Sequence, residues 1–262
     1  MRSPARLRRP RVLAAALTGS LLGAALLAAP GAQAADPTEA LTPAQADAVR
    51  ALIRETLTTD PTVLKDAVQA MQAHEQQEEM ERASATIRSL GPALTDPPGV
   101  PALGNPDGDV TVIEFSDYNC GYCKRVFQSL WEVIQADGKV KLHILEFPIL
   151  GAESVSAARA ALAAIPQGHY ESFHRALMAH KGGFSEDKIL ALAREQGLDA
   201  PRLKKDMTSE AVNTLLAQSY HLAQTLGISG TPAFVIGDHL VPGALSAPAL
   251  KEFIAEARRS KS

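Results

Sequence analysis

Cysteine is nearly absent: the 262-residue chain has two, Cys120 and Cys123. Two are too few to staple a fold, and three positions apart they constrain almost none of it. They serve chemistry or a metal. Aromatic residues make up 5% of the chain, yet 46% is hydrophobic, enough for one large domain or one domain with an appendage. Disorder and a disulfide-stapled miniprotein are both excluded. An excess of positive charge is missing too. Lys and Arg number 26 against 29 Asp and Glu, a net of −3, which argues against nucleic acid as the main partner because phosphate binding needs clustered positive charge. No internal repeat and no low-complexity run interrupts the chain.

The first 34 residues read as a secretory signal peptide. Arg2, Arg6, Arg8, Arg9 and Arg11 form a basic start, Val12 to Ala29 is apolar or small throughout, and Ala32-Gln33-Ala34 is an A-x-A cleavage site. An uncleaved membrane anchor is the competing interpretation, and Gly19, Ser20 and Gly23 weaken it. Arg8-Arg9 hints at twin-arginine export, against which Pro10 and Arg11 speak. Removing five arginines and no acid leaves 21 basic and 29 acidic residues, a net of −8. The expected location is the periplasm, where disulfide chemistry is possible.

Residues 35–91 read as an N-terminal helical segment without a core of its own. Thr42-Pro43-Ala44-Gln45 is a capping-box start, followed by Val49, Leu52, Ile53 and Leu57 on one stripe. A second helix from about Pro61 to Leu90 would run about 45 Å at 1.5 Å per residue. Its stripe of Val63, Leu64, Ala67, Val68 and Met71 pauses in the polar stretch from His74 to Arg82, resumes through Ile87 and Leu90, and ends at Gly91-Pro92. Such a helix either packs on its own domain or forms a stalk that pairs with copies of itself. Residues 92–108, with five prolines and three glycines, read as a linker. A domain over 109–262 follows. Val110 to Phe115 is a buried strand, Cys123, Val126, Phe127, Leu130 and Ile134 mark one face of a helix that Asp137-Gly138 ends, and Lys139 to Phe147 is a second strand, a βαβ unit. Helical signals then fill about 152–226, with helix starts at Ser185-Glu186-Asp187 and at Thr208-Ser209-Glu210, before a hairpin of Ala233 to Ile236 with Leu240-Val241 and a last helix begun by Ser246.

Cys120-Gly121-Tyr122-Cys123 is the decisive constellation. C-x-x-C alone also describes half a zinc site, but His169 with His174, a pair whose spacing could complete one, reads as a solvated helix face. The pair sits where a strand runs into a helix. There the unsatisfied N–H groups of the helix N-terminus favour a thiolate, making Cys120 a nucleophile and a good leaving group. Cys123, one turn on and facing inward, is the expected resolving thiol. Tyr118 and Tyr122 are candidates to line a substrate surface, with ordinary packing as the alternative.

The segment Phe115-Ser116-Asp117-Tyr118-Asn119-Cys120-Gly121-Tyr122-Cys123-Lys124 resembles the active-site segment of the DsbA-like thioredoxin-fold family, and Gly230-Thr231-Pro232-Ala233-Phe234 resembles its cis-proline loop. The similarity covers roughly Asp109 to Ala257. It implies an α/β thioredoxin fold with a helical insertion, here preceded by the N-terminal helical stalk. Pro232 is then expected to turn the chain beside the cysteines, leaving the Thr231 backbone to pair with an extended substrate. Glu114 matches the buried acid of the family's strand. Desolvated there, it could relay the proton that Cys123 gains or loses.

Within that resemblance the chain is expected to be a thiol–disulfide interchange enzyme with disulfide isomerase activity favoured and dithiol oxidase as the alternative. Gly121-Tyr122 differs from the Pro-His of the oxidising DsbA and resembles the pair of DsbC and ScsC proteins, as does Thr231 before Pro232. The N-terminal segment is similar to the oligomerising stalk of trimeric ScsC isomerases. Expected partners are secreted client proteins with cysteines, copies of the chain itself through the N-terminal helices, and a membrane redox protein: a reductase for an isomerase, a quinone-linked oxidase for an oxidase. No cofactor beyond the cysteine pair, no metal and no nucleic acid is expected. A reading of another class makes the chain a copper-sequestering or chaperone protein with Cys120 and Cys123 as soft Cu(I) ligands.

Overall fold

The structure is a computed structural model that describes residues 41–260. The expected signal peptide, residues 1–34, lies outside the described residues. Among the described residues no helix is long and apolar enough to cross a membrane. The chain divides into two compact units, the first ending at Lys65 and the second beginning at Asp66.

In the first unit, helix α1 (Pro43–Thr59) starts on the expected capping box, with the Gln45 N–H donating to Thr42 Oγ1 and the Thr42 N–H donating to Gln45 Oε1. No residue of α1 is buried, and its stripe is open to solvent, Leu52 at 63% and Ile53 at 53%. Helix α2 (Pro61–Leu90) crosses the unit boundary, and Val68, Met71 and Met80 on its second-unit part are exposed. Its last turns are different. Ile87 is buried, Ser84 Oγ donates to the Asp238 carbonyl, and Arg88 pairs with the Asp238 carboxylate at 2.9 Å.

The stretch expected to be a linker is packed into the second unit. It forms a short helix α3 (Pro92–Thr95) and strand β1 (Leu103–Gly104), and it buries Leu94, Val100 and Leu103. Its prolines and glycines break helical and strand periods without preventing isolated apolar residues from reaching a core, which is why periodicity missed it. Strand β2 (Val110–Ser116), helix α4 (Gly121–Asp137) and strand β3 (Val140–Glu146) then form the βαβ unit. Gly138, in the left-handed region at φ 67°, closes α4 as the sequence suggested.

Five helices follow: α5 (Ala152–Ala163), α6 (Tyr170–Ala179), α7 (Glu186–Glu195), α8 (Ala200–Asp206) and α9 (Glu210–Thr225). Ser185 and Ser209 cap α7 and α9 as expected, while α8, capped by Asp199, was not anticipated. Strands β4 (Ala233–Ile236) and β5 (His239–Pro242) make the hairpin, and α10 (Ala247–Arg259) ends the described chain. The sheet order is β1-β3-β2-β4-β5, with β2 and β3 parallel and β2, β4 and β5 successively antiparallel. This is a thioredoxin-like fold carrying the helical insertion. Alternation sorts the central strands: Val110, Val112, Leu142 and Ile144 face the core beneath α4, and Ile113, Phe115, Leu145 and Phe147 face the core on the opposite side. Glu114, Ser116 and Glu146 have the parity of the α4 side.

Candidate active site

Both cysteines sit at the start of α4. Cys120 is its N-cap residue: the backbone is extended, and its Sγ accepts the Cys123 N–H at 3.3 Å. A sulfur in that position takes the place that Ser or Asp oxygens fill in other caps, so negative charge forming on it meets backbone donors already aimed at it. Across from it, the Thr231 carbonyl lies 3.3 Å from Cys120 Sγ, and the Thr231–Pro232 peptide is cis. Antiparallel pairing of β4 with β2 brings this loop to the cysteines, since Phe115 lies opposite Ala233. Cys120, Cys123, Thr231 and Pro232 are therefore one constellation, although 108 positions separate Cys123 from Thr231. Cys120 is 4% exposed and Cys123 fully buried, and both are free thiols. Burial above all, then the charge of Glu114, pushes the Cys123 thiol well up, while a backbone hydrogen bond with Asp117 opposes the rise.

Glu114 is fully buried, and burial raises its carboxyl to about 7 against the opposing hydrogen bond from Ser116 Oγ at 2.9 Å. Among the described residues its Oε2 has no hydrogen-bond partner. Asp117, also buried, secures the loop that carries the cysteines. It accepts the Asn119 N–H at 2.8 Å and the N–H groups of Ile149 and Leu150 at 2.9 and 3.0 Å, tying the segment after β3 to the active-site loop. Ile149 and Leu150 are left exposed beside it.

The two tyrosines part company. Tyr122 is 59% exposed, with the Arg125 guanidinium 4.4 Å from its ring centre. Tyr118 is completely buried, so it lines no substrate surface. Its hydroxyl donates to Glu146 Oε1 at 2.7 Å and lies 2.7 Å from His174 Nδ1, and Tyr170 donates to the same Glu146 oxygen at 3.0 Å. His174 likewise corrects the expectation of a solvated helix face: it is fully buried, and burial holds its imidazole down at about 3. Glu146 is pushed up to about 8 by burial, with Tyr118 and Tyr170 working against that and the Asp117 and Glu114 charges adding to it.

Sequence reasoning passed over Asp117, Glu146 and Tyr170 and misread His174. A signal for two of them was present. Tyr170, Phe173, His174 and Leu177 fall at i, i+3, i+4 and i+7, so the histidine shares the apolar stripe of its helix, and Glu146 shares the inward parity of Leu142 and Ile144. Among the described residues no group of three or more His, Cys, Asp or Glu side chains is arranged to hold a metal ion.

The DSBA-like thioredoxin domain family matches residues 111–255, more than half of the chain. Among solved structures, a thioredoxin-like oxidoreductase from Silicibacter pomeroyi is 48% identical with a TM-score of 0.63, covering 64% of this chain and 98% of its own. A linker-deletion mutant of ScsC from Proteus mirabilis is 29% identical with a TM-score of 0.64 and covers 85% of this chain and 99% of its own. A probable disulfide bond formation protein D from Bacillus cereus is 27% identical over 152 residues, 53% of this chain and 70% of that protein. The chain spans 25% of the length of the first curated relatives it matches, Na(+)/H(+) antiporters NhaA of two Salinispora species. With a cysteine pair at a helix N-terminus, a cis-proline loop against it and a buried acid behind it, the chain belongs to the DsbA-like thioredoxin family, its domain of the DsbA and ScsC thiol–disulfide oxidoreductase type.

Proposed function

We propose that the protein is a disulfide isomerase of exported proteins, with Cys120 as nucleophile, Cys123 as resolving thiol and Glu114 as the acceptor of the Cys123 proton. The observation that carries the exchange chemistry is Cys120 Sγ in the N-cap position, receiving the Cys123 N–H with the Thr231 carbonyl across from it. The Cys120 thiolate attacks one sulfur of a client disulfide. That S–S bond breaks, the departing client sulfur keeps the electron pair as a thiolate, and a mixed disulfide joins Cys120 to the client. A second client thiolate can then attack the client sulfur, forming a new client disulfide and returning Cys120 with no net electron transfer. Otherwise Cys123 gives its proton to Glu114 and attacks Cys120 Sγ, closing the Cys120–Cys123 disulfide and releasing the client reduced. Thr231 and Pro232 flank the incoming chain, and exposed Tyr122 offers it an apolar face.

Isomerase activity is favoured over oxidase activity by the Gly121-Tyr122 dipeptide, by the ScsC likeness extending over 85% of the chain, and by the uncovered stripes of α1 and α2. Those stripes suit pairing with copies of the same chain, which would hold a misfolded client among several active sites. The setting is the periplasm, with a membrane reductase keeping the pair reduced; an oxidase would need a quinone-linked membrane oxidant instead. Reactivation of scrambled ribonuclease in a glutathione buffer tests the assignment. The mature protein is expected to restore activity, and a Cys120→Ala control is expected not to. Rapid oxidation of a reduced client without reactivation of the scrambled one would overturn isomerase in favour of oxidase.

A further inference from the structure

A second buried polar cluster lies behind the cysteines, and the exchange steps above make no use of it. Glu146, Tyr118, Tyr170 and His174 are nearly or fully excluded from solvent. Glu146 Oε1 receives two hydroxyls, and among the described residues nothing bonds to Glu146 Oε2. The single Tyr118 hydrogen goes to Glu146, so His174 must present Nδ1–H to the Tyr118 oxygen, leaving His174 Nε2 as the bare nitrogen, without a partner among the described residues.

The cluster continues into the site already described. Glu114 and Ser116 are two apart on β2 and share a face, and Ser116 is directly opposite Glu146 on the parallel strand β3. Glu114, Ser116 and Glu146 thus form one row under α4, with Tyr118 and His174 continuing from its end. The groups facing Glu146 are Tyr118 and Asp117 from the loop after β2, Glu114 from β2 itself, and Tyr170 from α6, with His174 of the same helix bonded to Tyr118. The hydrogen bonds to both carboxyls come from hydroxyls, and none comes from a cation. Two full negative charges in so dry a place would repel without compensation.

We propose that Glu146 is a positioning residue for the cysteine chemistry: it and Glu114 carry one negative charge between them, so each proton that passes between Cys123 and Glu114 changes the protonation of Glu146. This rests on the assignment of Glu114 as proton acceptor. Oε1 of Glu146 is held by the two tyrosines, His174 orients Tyr118 toward it, and the open Oε2 is where the proton sits. When Glu114 takes the Cys123 proton, Glu146 releases its own to solvent water, and when Glu114 gives its proton back, Glu146 takes one up from solvent. Burial is the main cause that raises both carboxyls, and the Glu114 charge adds to the rise at Glu146.

Redox difference infrared spectroscopy on the full chain, oxidised minus reduced between pH 6 and 9, tests this. Two carboxylic-acid C=O bands are expected in the difference spectrum, one lost in Glu114→Gln and the other lost in Glu146→Gln. In Tyr118→Phe, which keeps the ring in its packing, the Glu146 band is expected to persist and move to higher frequency, because one donor to its carbonyl is gone. A spectrum in which Glu114→Gln removes a band while Glu146→Gln and Tyr118→Phe change nothing would overturn the proposal and leave Glu114 in its role. A spectrum with no carboxyl band at all would overturn both assignments.

Discussion

Replacing Cys120 by serine is expected to abolish exchange with client disulfides while leaving the fold in place. Serine is among the preferred N-cap residues, so its hydroxyl can accept the Cys123 N–H that the sulfur accepts now, and the start of α4 keeps its cap. What serine cannot do is attack a disulfide. The hydroxyl is not ionised near neutral pH and is a poor nucleophile toward sulfur, so the activity that depends on Cys120 falls to background. Ribonuclease reactivation, measured beside a urea titration, checks both halves. A Cys120→Ser protein that unfolds at the wild-type urea concentration and shows no exchange separates chemistry from structure more cleanly than alanine, which removes the cap as well.

Glu114→Gln is the second large effect, and it acts in two directions. Glutamine keeps an acceptor for Ser116 and cannot take a proton from Cys123, whose thiol burial and the Glu114 charge hold well up. Attack by Cys123 on the mixed disulfide is expected to slow on the order of 10²-fold at pH 8, the usual worth of a positioned base. In the wild type that step is expected to fall off as pH drops through about 7, where Glu114 becomes protonated, and the variant is expected to lack this inflection. Stability moves the other way. A carboxyl raised from 4.5 to about 7 by folding contributes stability that is fully present below 4.5 and lost as pH rises through 7. The wild type should therefore resist urea better at pH 5 than at pH 8, and Glu146 acts with the same sign up to about 8. Removing Glu114 makes that slope shallower and stabilises the protein at pH 8 by up to about 3 kcal/mol, taking about 1.4 kcal/mol for each pH unit. Stopped-flow decay of a client adduct and urea titrations at the two pH values read the two effects.

How far the sequence carried these arguments depended on how local the determinants were. The βαβ unit, the capped helices and the C-terminal hairpin were legible because a strand, a cap or a glycine turn declares itself within a few residues: Gly138 closes α4 and Ser185, Ser209 and Ser246 open helices where expected. Cys120 and Cys123 were legible by spacing and by their place at a strand-to-helix junction. Thr231 and Pro232 required the family resemblance, since only the sheet brings them beside the cysteines. The polar cluster was not found because its members lie on three separate elements, and nothing in the local sequence says that Tyr118, Glu146 and His174 meet. Tyr118 shows the limit well. Two residues from Cys120 it reads equally as a substrate-facing group or as packing, and only the three-dimensional structure shows it as a buried donor. The segment 92–108 failed for a related reason: Leu94, Val100 and Leu103 are buried one at a time, with no period to announce them.

The most direct test of the account is a comparison of its two single-thiol variants, Cys123→Ser and Cys120→Ser, each mixed with glutathione disulfide and quenched with acid before mass analysis. The account predicts that Cys123→Ser rapidly forms a stoichiometric mixed disulfide on Cys120 that persists because no resolving thiol remains, and that Cys120→Ser forms none in the same time. Equal rates in the two variants, or faster reaction at Cys123, would contradict the assignment of Cys120 as the exchanging thiol.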